Sequence, residues 1–132
     1  MGQLSAEDRL AIADVLAHYC HTLDFGRWDD FVALFAEGCT LDFGETIGSF
    51  EGRDGVRRFT EVMKAAGLFI RHFTTNAVVT GNGERAHAET YVLAITGPAG
   101  GQAQTTGVYL DDLVKADGRW LIRSRRAVLD MP

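Results

Sequence analysis

The 132-residue chain holds few of the residues that mark specialised scaffolds: two cysteines, two prolines and two tryptophans. Cys20 and Cys39 alone make no disulfide framework and no metal-ligand spacing, and both read as reduced thiols. No apolar run approaches the roughly 18 residues that a membrane span requires. The opening stretch from Met1 to Val15 is acidic and amphipathic and lacks the apolar core of a secretory signal. Basic residues are in deficit, 13 Lys and Arg against 18 Asp and Glu, for a net charge of −5. A nucleic-acid binder needs a basic face for phosphates, so this balance argues against nucleic acid as a partner. Gly44, Gly48 and Gly52 lack phosphate-loop spacing, and there is no Gly-x-Ser-x-Gly elbow. No repeat or low-complexity stretch interrupts the chain, and the one loose segment runs from Gly97 to Gly101. These absences predict a cytoplasmic protein of one domain over residues 1–132, with no membrane partner and no metal or organic cofactor implied.

What remains is an ordinary globular composition, 46% hydrophobic and 23% charged. Ser5 with Asp8 three residues on resembles a capping box. Ile12, Leu16, Tyr19 and Leu23 then recur at helical spacing beside Val15, and Gly26 follows where a helix would end. Trp28, Phe31 and Phe35 predict a second, shorter helix. Cys39 to Phe43 predicts a short strand, and Asp54 predicts the cap of a third helix carrying Val56, Phe59, Val62 and Met63. The second half reads as strands over Leu68–Thr80, Glu84–Thr96, Gln102–Lys115 and Arg119–Leu129. Gly81-Asn82-Gly83 and Asp117-Gly118 are turn sequences between them. Helices first and long antiparallel strands after make an α+β pattern, a curved sheet wrapped on helices around a pocket.

Few residues carry chemistry. Asp24 closes the first helix, and His72 lies in a strand in the phase of Ile70, Thr74 and Asn76. If that phase faces the pocket, the carboxylate can fix the imidazole tautomer and stabilise its cation, leaving the other ring nitrogen as a base. The alternative is a solvated helix-end Asp and a structural His. Tyr19 sits on the apolar helix face, either as a donor to a substrate oxygen or as core with a satisfied hydroxyl. Tyr91, Tyr109 and Asp111 lie on neighbouring strands whose phase is open by one residue. Asp42, in Thr40-Leu41-Asp42-Phe43, is a carboxylate in an apolar strand and a candidate for a raised pKa. His18, His21 and His87 read as solvated. Alternation sends the run Arg123-Ser124-Arg125-Arg126 to both faces, so that one arginine can reach a carboxylate or an anionic ligand group while the others are solvated or at an interface.

Several pieces in order resemble the SnoaL-like branch of the nuclear transport factor 2-like superfamily. They are Ala11-Ile12 through Tyr19 to Leu23-Asp24-Phe25-Gly26-Arg27-Trp28, Leu34-Phe35-Ala36, Gly52-Arg53-Asp54-Gly55, Arg71-His72-Phe73-Thr74-Thr75-Asn76, and Asp117-Gly118-Arg119-Trp120-Leu121-Ile122. The resemblance covers nearly the whole chain and implies a conical α+β barrel, with N-terminal helices packed on a highly curved, mostly antiparallel sheet. It also implies a homodimer through the outer face of the sheet.

Asp24 and His72 resemble the Asp–His pair of scytalone dehydratases and of the hexachlorocyclohexane dehydrochlorinase, where the His removes a proton during elimination. The second catalytic His of scytalone dehydratases has no counterpart in Gln104-Thr105-Thr106-Gly107-Val108-Tyr109. Tyr19 is similar to the oxyanion tyrosine of ketosteroid isomerases; Asp42 and Asp111 fall near, but not on, the carboxylates of those enzymes. The resemblance thus implies a small lyase, isomerase or cyclase acting on a small hydrophobic, cyclic molecule. Asp24, His72 and Tyr19 would be catalytic, and Asp42, Trp28, Tyr91 and Tyr109 would contact substrate. The alternative is a non-catalytic binding or assembly module of the same fold, like the β subunit of ring-hydroxylating dioxygenases.

Overall fold

The computed structural model describes residues 3–98 and 102–130. Helix α1 (Ala6–Asp24) opens on the predicted capping box, with Ser5 and Asp8 bonded reciprocally. It buries Ile12, Leu16, Tyr19 and Leu23, as their spacing predicts. A short α2 (Trp28–Val32) follows and ends before Phe35, which opens strand β1 (Phe35–Asp42). The second predicted helix is therefore shorter than its aromatic spacing suggested, and the strand longer. Phe35 is buried in both readings, so the periodicity reported burial while the backbone changed type.

A single turn α3 (Gly44–Ile47), a short β2 (Ser49–Glu51) and helix α4 (Gly52–Ala66) complete the first half. Helix α4 starts at Gly52 with Glu51 at its N-cap and no side-chain cap bond, so Asp54 stands in the first turn rather than at the cap. There its charge still complements the helix dipole. Four long strands follow: β3 (Phe69–Gly81), β4 (Arg85–Gly97), β5 (Ala103–Ala116) and β6 (Arg119–Leu129). The predicted loop around Gly97–Gly101 lies largely outside the described residues. The β5–β6 hairpin turns on Asp117 and Gly118, whose φ values of 52° and 77° are those of a type I′ turn.

The strands form one sheet in the order β2-β1-β6-β5-β4-β3, antiparallel throughout except for the parallel β1–β6 pair. The sheet curls but does not close; α1 packs on the edge strand β3, and α4 on β1. The core between helices and sheet is aromatic at its centre, with Tyr19, Phe31 and Phe35 fully buried. Burial of each such side chain contributes about 1.5–3 kcal/mol.

Three register shifts interrupt the strand alternation, one of them between Phe35 and Thr40 where β1 pairs with β6. Between Thr75 and Val78 the β3 register slips against β4, at Asn76 with φ 58°. Asn76 therefore leaves the inward phase predicted for it and is exposed. The third lies opposite Asp112 and Leu113, where β6 carries Arg123 as an extra residue between Ile122 and Ser124. No helix among the described residues is long and apolar enough to cross a membrane. Cys20 and Cys39 are free thiols, both buried.

Candidate active site

The concave side of the sheet and the helices enclose a cavity of about 220 Å³. Tyr19 and Leu23 reach it from α1, Phe59 and Met63 from α4. Ile70 and His72 come from β3, Thr105 and Tyr109 from β5. Phe43 and Ile47, around the α3 turn, line it as well. The wall is apolar except for a few hydroxyls and one imidazole, and among the described residues no lysine, arginine or carboxylate lines it. A charged ligand would lose its hydration there and find only hydroxyls and one imidazole in its place.

Asp24 and His72, 48 residues apart, meet at this wall. Asp24 Oδ2 accepts the backbone N–H of His72 at 2.8 Å, and Oδ1 lies 2.5 Å from its ring Nδ1. The two side chains are only 3% and 8% exposed, so water does not compete for the contact. A carboxylate can only accept, so Nδ1 carries the proton and the lone pair of the neutral ring sits on Nε2. Nε2 has no hydrogen-bond partner among the described residues. The placement follows from local structure. Asp24 is the last residue of α1, on the turn of the helix that abuts β3, and His72 points inward in the same strand phase as Ile70.

Tyr19 lies beside this pair. Its ring meets that of His72 edge-on with centroids 6.4 Å apart, and that of Tyr109 at 5.7 Å. Its buried hydroxyl makes no hydrogen bond of ordinary length among the described residues. Burial pushes the phenol up to about 12, with the Arg125 guanidinium pulling the other way, so the hydroxyl is a neutral donor at neutral pH. Tyr109, 2% exposed, also lines the cavity and is likewise raised by burial.

Three predicted contact residues are elsewhere. Tyr91 is 58% exposed on the outer face, because the inward phase of β4 belongs to Ala86, Ala88, Thr90 and Val92. In β1 the inward phase is that of Cys39 and Leu41, so Asp42 turns away from the cavity. There its Oδ1 accepts the Gly44 N–H at 2.8 Å. Trp28 is half-buried and packs its indole over Gly26, where an added Cβ would lie 3.3 Å from the ring. Asp111 is fully buried but bonds Arg125 instead of facing the cavity. His18 and His21 are exposed, and His87 sits on the outer face against Asp112 and Glu89. Arg125 is the arginine of the basic run that reaches a carboxylate. Its inward phase is visible only downstream, in Ala127 and Leu129, which disagree with Trp120 and Ile122 upstream. Phe59 and Met63 also line the cavity, and their helical spacing gave only a core face.

A family model for the SnoaL-like domain matches residues 4–126. The chain belongs to the SnoaL-like family. Among solved structures it is similar to a provisionally named aromatic ring hydroxylase from Novosphingobium aromaticivorans. That protein is 28% identical, with 97% of this chain and 92% of the other covered and a TM-score of 0.83. A provisionally named scytalone dehydratase from the same organism is 24% identical, covering 94% and 85% with a TM-score of 0.82. LinA is 19% identical, covering 95% and 87% with a TM-score of 0.85. At such identities the last two establish the shared SnoaL-like fold. No protein of curated function matches the sequence.

Proposed function

We propose that this protein takes a proton from carbon in a small, uncharged, largely apolar substrate, in an elimination or an isomerisation. The observation that carries the reading is the double hold of Asp24 on His72, which leaves Nε2 unpaired at the wall of an apolar cavity. His72 Nε2 accepts the proton, and Asp24 stabilises the imidazolium that results. The electron pair of the broken C–H bond moves into a new double bond. A leaving group then departs, or the proton returns at a second carbon. Tyr19 donates its hydroxyl to a substrate oxygen that gains charge, which would satisfy a buried donor that makes no hydrogen bond of ordinary length among the described residues. The likeness to a provisionally named scytalone dehydratase and to LinA supports proton removal as the class of chemistry.

The test needs no known substrate. Small cyclic ketones, such as cyclohexenone and tetralone, are incubated with the protein in D₂O, and exchange beside the carbonyl is followed by mass. Exchange should fall about 10²–10⁴-fold in His72→Ala. Equal exchange in wild type and His72→Ala would remove the proposal. A second reading, a non-catalytic assembly module, draws support from the cavity volume of 220 Å³, below the roughly 300–1,000 Å³ usual for ligand pockets. It is the reading that such a null result would leave.

The partner in solution is proposed to be a second copy of the chain, seated on the outer face of the sheet. That face exposes Phe73, Tyr91 and Val128, and a groove of about 490 Å³ runs beside Tyr91 and Val108.

A further inference from the structure

Arg125 and Asp111 carry fully buried charges, with no side-chain exposure at all, and neither lines the cavity. An ion pair so placed pays a desolvation cost that apolar residues of the same volume avoid. Asp111 accepts Nε and Nη2 of Arg125 at 2.7 Å each, which fixes the plane of the guanidinium. Two tyrosine rings pack against that guanidinium: its central carbon lies 4.0 Å from the Tyr19 centroid and 3.8 Å from that of Tyr109. Among the described residues neither the remaining nitrogen, Nη1, nor the Tyr19 hydroxyl makes a hydrogen bond of ordinary length, and the guanidinium stands close enough to the phenol to pull its pKa down against burial.

We infer that Arg125 is a positioning residue: clamped by Asp111 against Tyr19 and Tyr109, it holds both phenols at the cavity wall as donors to an oxygen that becomes anionic. This inference rests on the proton-removal reading and gives it a substrate class, a carbon acid whose charge is delocalised onto oxygen. A cation against the face of an aromatic ring draws π density toward itself, which makes the O–H of a phenol a stronger donor. In both tyrosines Arg125 acts against the upward push of burial, yet both remain raised and therefore protonated. Asp111 balances the charge of Arg125, so any preference for an anionic oxygen comes from the phenol donors and not from a free positive charge.

The test uses 4-nitrophenol, whose phenol and phenolate forms absorb differently. Its ionisation is titrated free and in excess protein. Wild type should bind the phenolate more tightly than the phenol, so that the bound probe ionises at lower pH than the free one. Arg125→Met should reduce that preference on the order of tenfold, the scale of one hydrogen bond to a charged group. Because Arg125→Met strands Asp111, the double variant Asp111→Leu with Arg125→Met is measured beside it, with cooperative unfolding as the control for folding. Arg125→Lys, a point charge without a planar face, should restore part of the preference. Wild type that binds neither form, or favours the phenol, overturns the inference. So does a folded double variant with the wild-type preference. His72→Ala should keep the phenolate preference while losing carbon exchange, which separates failure of the base from failure of the tyrosine pair.

Discussion

Asp24 holds His72 through two atoms at once, one oxygen on the backbone N–H at 2.8 Å and the other on ring Nδ1 at 2.5 Å. The first bond fixes where the residue sits on the edge strand; the second fixes which ring nitrogen keeps its proton. Asp24→Asn cannot keep both, because an amide presents only one acceptor oxygen. The ring should lose its fixed tautomer, and proton removal should drop about 10²–10⁴-fold. Stranding a buried group should also cost roughly 1–3 kcal/mol. Nitrogen NMR of the His72 ring checks this directly: the wild-type neutral ring should carry its proton on Nδ1, and the variant should show a mixture. A variant ring identical to wild type would show that Asp24 does not set the tautomer.

Much of this was legible in the residues. The face made by Ile12, Leu16, Tyr19 and Leu23 located α1, and Asp117-Gly118 located the hairpin, because local chemistry decides both. The pairing of Asp24 with His72 was legible only as a possibility, since spacing says nothing about which helix end meets which strand. Tyr91 and Asp42 lie on faces turned from this cavity, which the residues could not foretell: the strand phase was open by one residue, and one residue inverts every side chain. Arg125 was hidden by the bulge at Arg123: alternation from Trp120 and Ile122 would send Ser124 and Arg126 inward instead. The conflict between that phase and the one through Ala127 and Leu129 is the trace of the bulge in the sequence.

The Asp111–Arg125 pair should respond asymmetrically to mutation. Removing Arg125 alone leaves a buried carboxylate unpaired, so Arg125→Met should destabilise by about 3–5 kcal/mol. Replacing both partners with apolar residues removes the desolvation cost as well as the attraction. The double variant should therefore lie within about 1–2 kcal/mol of wild type. Urea unfolding midpoints decide it, and a double variant as unstable as the single one would mean that the pair itself contributes net stability.

The outer face makes a separate prediction. Tyr91 stands on β4, next to the edge strand, 58% exposed and flanked across the ladder by Thr75 and Val108. If a second copy covers this face, sedimentation should give a dimer for wild type and a monomer for Tyr91→Lys, with helix and strand content unchanged. A wild-type monomer at micromolar concentration would end the proposal.

Gly107 sits where β5 passes close to β6. A Cβ there would lie 2.6 Å from the carbonyl oxygen of Val128 and 3.0 Å from Cα of Leu129, both backbone atoms that cannot rotate away. Gly107→Ala should force the strands apart and cost about 1–3 kcal/mol. A melting temperature equal to wild type would show that the strand ends yield freely.

Asp8 predicts how the fold fails in acid. Its Oδ1 accepts from Trp120 Nε1 at 3.0 Å and from Lys115 Nζ at 3.1 Å, tying the first turn of α1 to the β5–β6 hairpin. The Trp120 bond first, then the Lys115 bond, hold its carboxyl at about 2 instead of the ordinary 3.8. A carboxyl depressed in the folded state binds its proton more readily when the chain unfolds. Its contribution is therefore complete above about pH 4 and is lost as pH falls toward about 2. Thermal midpoints measured between pH 6 and pH 2 should fall along that limb in wild type. In Asp8→Asn the amide keeps an acceptor for Trp120 but carries no charge to lose. Its midpoint should start lower at neutral pH and approach wild type as pH falls to about 2; parallel curves would show that another carboxylate governs the acid transition.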